Sequence, residues 1–262
     1  MNFTVYRKEL VLMQCHILEI AFPFNGETNF LYPVVLQNEQ HVLLVDCGYA
    51  GFLPLLEKAL SNHQLSVHQL TGMIITHHDI DHMGAAAELK KNHPALQIYS
   101  SAIEAPFISG KQKSLRLIQA EQMLDSIPEE YKTGALQFIE LLKGMQTLPV
   151  DHFLAFNREV DWLRGIEVIH TPGHMPGHIS IYIRQSKTLI AADAVVIENG
   201  ILEIANPQFT LDLDDALRSV EKLKQLEIDQ LICYHGGLMQ KDIPGQLEQL
   251  LMRYKQVSTK PA

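Results

Sequence analysis

Thr76-His77-His78-Asp79-Ile80-Asp81-His82 packs three imidazoles and two carboxylates into seven residues. An apolar run, Met73-Ile74-Ile75, precedes it, and Gly84-Ala85-Ala86-Ala87-Glu88-Leu89-Lys90 follows with helix-forming composition. This context predicts a strand over 73–76, a tight loop, and a helix over 84–91. Loops at the carboxyl ends of strands are where open α/β-type folds place their chemistry. Buried without partners, each of these side chains would lose its hydration at a cost. A bound cation is the simplest compensation.

Outward from this stretch the chain alternates between strand and helix signals. On the amino-terminal side, residues 5–6 and 11–20 read as strands, with turns at Pro23 and Asn25-Gly26. Residues 29–36 read as a further strand. Residues 41–45 read as a buried strand ending at Asp46-Cys47-Gly48, and 51–60 as a helix. On the carboxyl side, 97–100 is a strand. The character then changes: 104–150 is helical, with helices over 114–124 and 129–142 separated at Ser126 and Pro128. Phe138, Ile139, Leu141 and Leu142 cover more than one helical face, whereas a surface helix needs only one apolar stripe. The extra surface would line a pocket, meet a second copy of the chain, or simply pack on the domain.

Strand signals resume at 165–170, 179–183, 188–191 and 230–234, with helices at 213–226 and 243–257 and a loose tail after Ser258. The order suggests two half-sheets packed between helices in one domain, 1–262.

Bulk properties narrow the function. Hydrophobic residues at 47% against 19% charged describe an ordinary globular chain rather than a disordered one. A net charge of -9 argues against nucleic acid as a partner. No run approaches the roughly 20 apolar residues of a membrane span, and the amino terminus reads as carrying no secretory signal. The three cysteines, Cys15, Cys47 and Cys233, are far apart and match no metal-type pair. They read as reduced thiols of a cytoplasmic protein.

Further metal-capable side chains, His174, Asp193 and His235, each follow an apolar strand in a Gly-rich or turn-like context. Taken singly, either histidine is an ordinary hydrogen-bonded residue and the aspartate an ordinary turn residue. Strands ending on one edge of a sandwich would bring them together with His77, Asp79, Asp81 and His82.

With these residues in place, the sequence resembles the metallo-β-lactamase-fold hydrolase superfamily, in its lactonase and glyoxalase II-like branch. Asp46-Cys47-Gly48 looks like the D-[TC]-G turn, and Thr76 to His82 like T-H-x-H-x-D-H. Residues 171–178, Thr171-Pro172-Gly173-His174-Met175-Pro176-Gly177-His178, look like T-P-G-H-T-x-G-H. Ala192-Asp193 and Tyr234-His235-Gly236 match the following aspartate and the last histidine. The resemblance implies an α/β (α+β) fold. This is an αββα sandwich of two mixed sheets flanked by helices, with the 104–150 insertion covering the site.

The resemblance also implies two divalent ions. His77, Asp79 and His174 would hold one, and Asp81, His82 and His235 the other, with Asp193 bridging. Water shared by the two would ionise near neutral pH, and Asp81 would orient it. The chain departs from the family pattern at Asp79, where an imidazole is expected. Zinc remains the implied metal, but a carboxylate also suits manganese or iron.

The expected activity is hydrolysis of an ester, lactone or thioester of a small molecule. A phosphodiester hydrolase, an iron oxidoreductase and a non-catalytic metal-binding protein are the alternatives. Asp46 is expected to support the loops, His178 to be structural, and His78 to be a neighbour facing solvent or backing the site.

Overall fold

The apolar runs assemble into two six-stranded mixed sheets in the computed structural model, which describes residues 13–24 and 26–258. The first sheet runs Gln14–Ile17, Val34–Gln37, Val42–Val45, Gly72–Ile74, Gln97–Ser101, His152–Leu154. Its first three strands are antiparallel and the rest continue in parallel. The second runs Gly237–Met239, Gln230–Cys233, Thr188–Ala192, Ile179–Ile183, Leu163–His170, Arg158–Val160. Only the pair Thr188–Ala192 and Gln230–Cys233 is parallel there. Small hairpins, Ile20–Phe24 with Glu27–Leu31 and Val196–Glu198 with Ile201–Glu203, lie outside both sheets.

Successive strand residues face opposite sides of a sheet, and that alternation builds three layers of core. Val34, Leu36, Val45 and Ile74 of the first sheet meet Ile166, Ile181, Ile190 and Ile232 of the second between the sheets. The opposite face of the first sheet, with Leu44, Met73 and Ile98, packs on α1 (Leu53–Ser61) through Leu56 and Leu60. The short α2 (Ile80–Met83) and α3 (Ala86–Asn92) complete that layer with Met83 and Leu89. After these come α4 (Ala105–Ile108), α5 (Leu115–Met123) and α6 (Glu129–Lys143). The outer face of the second sheet, with Leu189, Leu231 and Cys233, packs on α7 (Leu213–Leu223) and α8 (Ile243–Ser258). The layers are therefore helix, sheet, sheet, helix, as the sequence implies.

Several local expectations need correction. Residues 76–82 are not all loop, because α2 begins at Ile80 and carries Asp81 and His82 on its first turn. Gly84 allows this: a Cβ there would lie 2.4 Å from the Ala50 amide nitrogen, so the helix can approach that backbone only without a side chain. The expected strand over 29–36 is two strands with Tyr32-Pro33 between them. Pro33 has no N–H to give a ladder. Pro23 sits within the edge strand Ile20–Phe24 rather than in a turn. Residues 5–6, the start of 11–20, Asn25 and the tail after Ser258 lie outside the described residues. In α6, Ile139 and Leu142 are buried, whereas Leu141 is 52% exposed. Together with Leu117 of α5 and Ile80 of α2, the two buried residues form a small separate cluster.

Candidate metal centre

Each candidate side chain reaches the site from a chain segment that has just left one of the two sheets. Thr76 to His82 follows Gly72–Ile74, Asp193 follows Thr188–Ala192, and His235 follows Gln230–Cys233. His174 lies in the connection between Leu163–His170 and Ile179–Ile183. All seven sequence-derived candidates come together. His77, Asp79 and His174 form one cluster, His77, His82 and Asp193 a second, and Asp81, His82 and His235 a third. Within each, the potential ligand atoms lie within 4.8 Å of one another.

Asp46 sets the orientation of this centre. Its carboxylate accepts from the Thr76 amide (2.9 Å), the Thr76 hydroxyl (2.7 Å) and His82 Nδ1 (2.8 Å). Because the Thr76 hydroxyl gives its hydrogen to Asp46, its oxygen is left to accept from His77 Nδ1 at 3.1 Å. Both imidazoles are thus protonated at Nδ1 and turn Nε2 into the cluster. A hydrogen bond at one ring nitrogen is what selects the other as a ligand. His77 Nε2, His82 Nε2 and Asp193 Oδ1 are buried and make no hydrogen bond. Buried polar atoms are rarely left so. Three of them facing one another have the donor chemistry of a divalent-metal site.

His178 holds Asp193 in place. The Asp193 amide donates to His178 Nε2 (3.1 Å), and His178 Nδ1 donates to the Thr171 hydroxyl (2.8 Å). Burial and the neighbouring His174 push the His178 imidazolium down to about 3, so the ring is neutral and can accept. The expectation of a structural His178 is thereby refined: the ring positions a candidate ligand. His235 is the most exposed of the histidines in the cluster, with Nε2 at 3.1 Å from Asp81 Oδ2 and 3.6 Å from Asp193 Oδ1.

Charge in the cluster follows from proximity. Burial disfavours the charged forms of Asp193 and His82. Their mutual attraction outweighs it, holding the carboxyl well below and the imidazole well above its ordinary value. His77 is driven the other way, by burial and by the charge on His82.

Sequence reasoning missed the roles of four residues. His78 is fully buried rather than solvent-facing. Its Nδ1 pairs with Glu104, and its Nε2 accepts from the Leu115 amide at the start of α5 (3.2 Å). Glu104 also accepts from the His78 amide (3.0 Å) and the Gly177 amide (2.8 Å), tying the first ligand loop to the His174 loop. Gly177 is needed there, because a Cβ would lie 2.7 Å from Glu104 Oε1. Tyr234 packs against His82 with ring centroids 4.0 Å apart and the rings inclined by 34°, and donates its hydroxyl to the Asp81 carbonyl (2.6 Å), so it holds Asp81 from within the core. Arg116 of α5, only 3% exposed, forks onto Asp79 through Nε–Oδ1 (3.0 Å) and Nη2–Oδ2 (2.6 Å). Neither Glu104 nor Arg116 lies in a motif. The available signal was the carboxylate at Asp79, whose buried charge requires a partner.

Comparison with known proteins agrees with this geometry. Residues 32–235 match the family model of the metallo-beta-lactamase superfamily. The chain is 27% identical over 240 residues to the probable metallo-hydrolase YflN of Bacillus subtilis (strain 168), covering 87% of this chain and 88% of that protein. It is also 27% identical over 172 residues to the hydroxyacylglutathione hydrolase GloC of Haemophilus influenzae, covering 64% of this chain and 67% of GloC. A metallo-beta-lactamase family protein from Thermus thermophilus superposes with a TM-score of 0.73 at 21% identity, over 92% of this chain and 79% of that one.

Proposed function

The chain belongs to the metallo-beta-lactamase superfamily and is a metallo-hydrolase, and we propose that it cleaves the ester, lactone or thioester bond of a small, partly apolar acyl compound. The observation that carries this reading is a cavity of about 720 Å³ between α5, α6 and Gln208-Phe209. Ala120, Met123, Ile127, Tyr131, Phe138 and Phe209 wall it, and Arg116, the side chain that grips Asp79, is among its lining residues. An apolar chain held there would lie beside the arginine that grips Asp79. Apolar walls with a few convergent polar groups are the usual form of a small-molecule site.

The donors suffice for two divalent ions. His77, Asp79 and His174 would hold one, and Asp81, His82 and His235 the other, with Asp193 between them. The histidines favour zinc, and the carboxylates also admit manganese or iron. Bound there, such an ion supplies Lewis acidity and lowers the pKa of water. The protein's own groups do the rest. Asp46 and Thr76 keep His82 and His77 in the tautomer with Nε2 inward. His178 fixes Asp193. Asp81, 15% exposed at its side chain and paired with His235, would accept a hydrogen bond from an attacking water and so direct its lone pair.

The three cysteines are unpaired, which supports a reducing compartment. No described helix is long and apolar enough to cross a membrane.

Metal-loaded protein should hydrolyse aryl esters, lactones and thioesters. Its kcat/KM should climb with acyl length from acetyl to octanoyl, by up to about fourfold per methylene, the equivalent of burying one CH₂. Phe138→Asp should flatten that climb. Activity confined to phosphodiesters, or none on the acyl series after metal loading, would overturn the reading.

A further inference from the structure

The two halves of the candidate metal centre are not equivalent, and the difference lies in Arg116. Asp79 stands where the T-H-x-H-x-D-H pattern has an imidazole, so this chain buries an extra negative charge beside His77 and His174. A buried carboxylate is stable only when its charge is matched and its lone pairs are filled. Arg116 does both. Nε donates to Asp79 Oδ1 at 3.0 Å and Nη2 to Oδ2 at 2.6 Å, the parallel two-bond geometry a guanidinium makes with a carboxylate.

The rest of the guanidinium is equally engaged. Nη1 donates to Gln119 Oε1 and to the Phe209 carbonyl, and Nη2 also faces His174 Nε2 at 3.2 Å. The Phe209 ring lies 5.1 Å from its central carbon. Four of its five N–H groups are thus given to Asp79, Gln119 and Phe209, and the fifth points at His174 Nε2, which itself lies 2.9 Å from Asp79 Oδ2. The start of α5 is itself pinned, with Ser114 capping the helix at the Leu117 amide and the Leu115 amide donating to His78, the residue next to Asp79. The arginine is therefore built into the first half-site.

The other half is different. His82 Nε2 and Asp193 Oδ1 have no hydrogen-bond partner, a feature shared with His77 Nε2 of the first half, so what separates the halves is the cation. Among the described side chains, no lysine or arginine is paired with Asp81, His82, Asp193 or His235; their ion pairs are with one another and with Asp46 and His174. A divalent ion entering there meets two carboxylates, Asp81 and Asp193, and no arginine or lysine seated on them. One entering at His77, Asp79 and His174 meets a cation already seated on Asp79 and in contact with His174.

We propose that Arg116 is the resident cation of the His77/Asp79/His174 half-site, so that the protein takes up divalent ions in a fixed order and with unequal affinity. The first ion goes to Asp81, His82, His235 and Asp193. The second enters only by displacing the guanidinium from Asp79. This rests on the reading of the cluster as a metal centre and adds to it that the Asp79 variant was accommodated by an internal charge.

The test is titration of the metal-free full chain with zinc and separately with manganese, against a chromophoric chelator, together with metal content after desalting. Wild type should keep one equivalent through desalting and bind a second, if at all, about a hundredfold or more weaker. Arg116→Met, which removes the charge and keeps the bulk, should tighten the second ion by about tenfold or more, the size of effect expected for an interaction between close charges. Arg116→Lys should stay near wild type. Circular dichroism and thermal unfolding of the metal-free variants monitor folding. If Arg116→Met fails to fold, Asp79→His/Arg116→Met, which restores the imidazole and removes the buried charge, should bind two ions of similar affinity.

Two ions bound equally by wild type would overturn the proposal. So would loss of the second ion in Arg116→Met, since that would make Arg116 a support that orients Asp79 as a ligand. Wild type binding no ion at all would instead overturn the metal-centre reading beneath it.

Discussion

Asp46 is buried and is not one of the seven candidate ligands, yet it sets the geometry of the cluster, because its two oxygens serve Thr76 and His82 together. Asp46→Asn keeps the shape but replaces one acceptor with an amide. We expect metal affinity to fall by about 10- to 100-fold, the usual effect of removing a group that orients a ligating histidine. Isothermal titration with zinc measures it, and an unchanged affinity would show that the His82 tautomer is held by something else. All seven candidate ligands were legible from sequence because metal-binding side chains are few in kind and sit at strand ends. Glu104 and Arg116 were not legible. A carboxylate or guanidinium in a helical segment reads as a solvated surface group, and only the folded contact reveals its partner.

Elements position these residues, and close backbone approach is what they depend on. The α2 helix starts inside the ligand motif, so that Asp79 lies just before its first turn and Asp81 and His82 within it. At Gly84 a Cβ would fall 2.3 Å from the Ile80 carbonyl oxygen and 2.4 Å from the Ala50 nitrogen, both backbone atoms that cannot rotate away. Gly84→Ala should cost about 1–3 kcal/mol or more, the range for overpacking a tight interior. It should also weaken metal binding by shifting His82. Urea unfolding together with metal titration checks both, and a neutral result on both would mean that α2 can move freely. The longer helices matched their expected ranges to within a few residues, since their apolar periodicity persists over several turns. The three-residue strands His152–Leu154 and Arg158–Val160 did not emerge, because so short a run carries no readable period.

At the scale of the whole molecule, the buried charges link stability to pH. Burial opposes ionisation of Asp79 and Asp193. Arg116 for the first and His82 for the second nonetheless hold their folded pKa values well below the ordinary one. Their stabilisation is therefore full above about pH 4 and lost as pH falls through the folded values. His77 and His178 are kept neutral, with lowered pKa values, so their contribution is full above about pH 6.5 and also declines on acidification. His82 and His235 are raised despite burial, by Asp193 and its neighbours; their contribution is full below about pH 6.5 and lost as pH rises through the folded values. Metal-free protein should accordingly lose stability on both sides of about pH 6.5. Added zinc should remove the alkaline loss, by replacing the protons on His82 and His235. Urea unfolding across pH 3–9, with and without zinc, tests this, and a flat metal-free profile would contradict it.

The sequence by itself pointed to two half-sheets between helices and to metal-capable side chains at strand ends, because alternation of apolar residues is a local property, and its resemblance to the superfamily implied the sandwich and the seven-residue set. Only the tertiary structure decided that His78 is buried, that the 104–150 helices build a cavity, and that Asp79 is already matched by Arg116. Those facts depend on contacts between segments 26 to 95 residues apart, such as His78 with Glu104, Arg116 with Asp79 and His174 with Asp79. Folding brings such segments together to bury apolar surface and match buried charge, and no local pattern in the chain encodes which partner a charge will find.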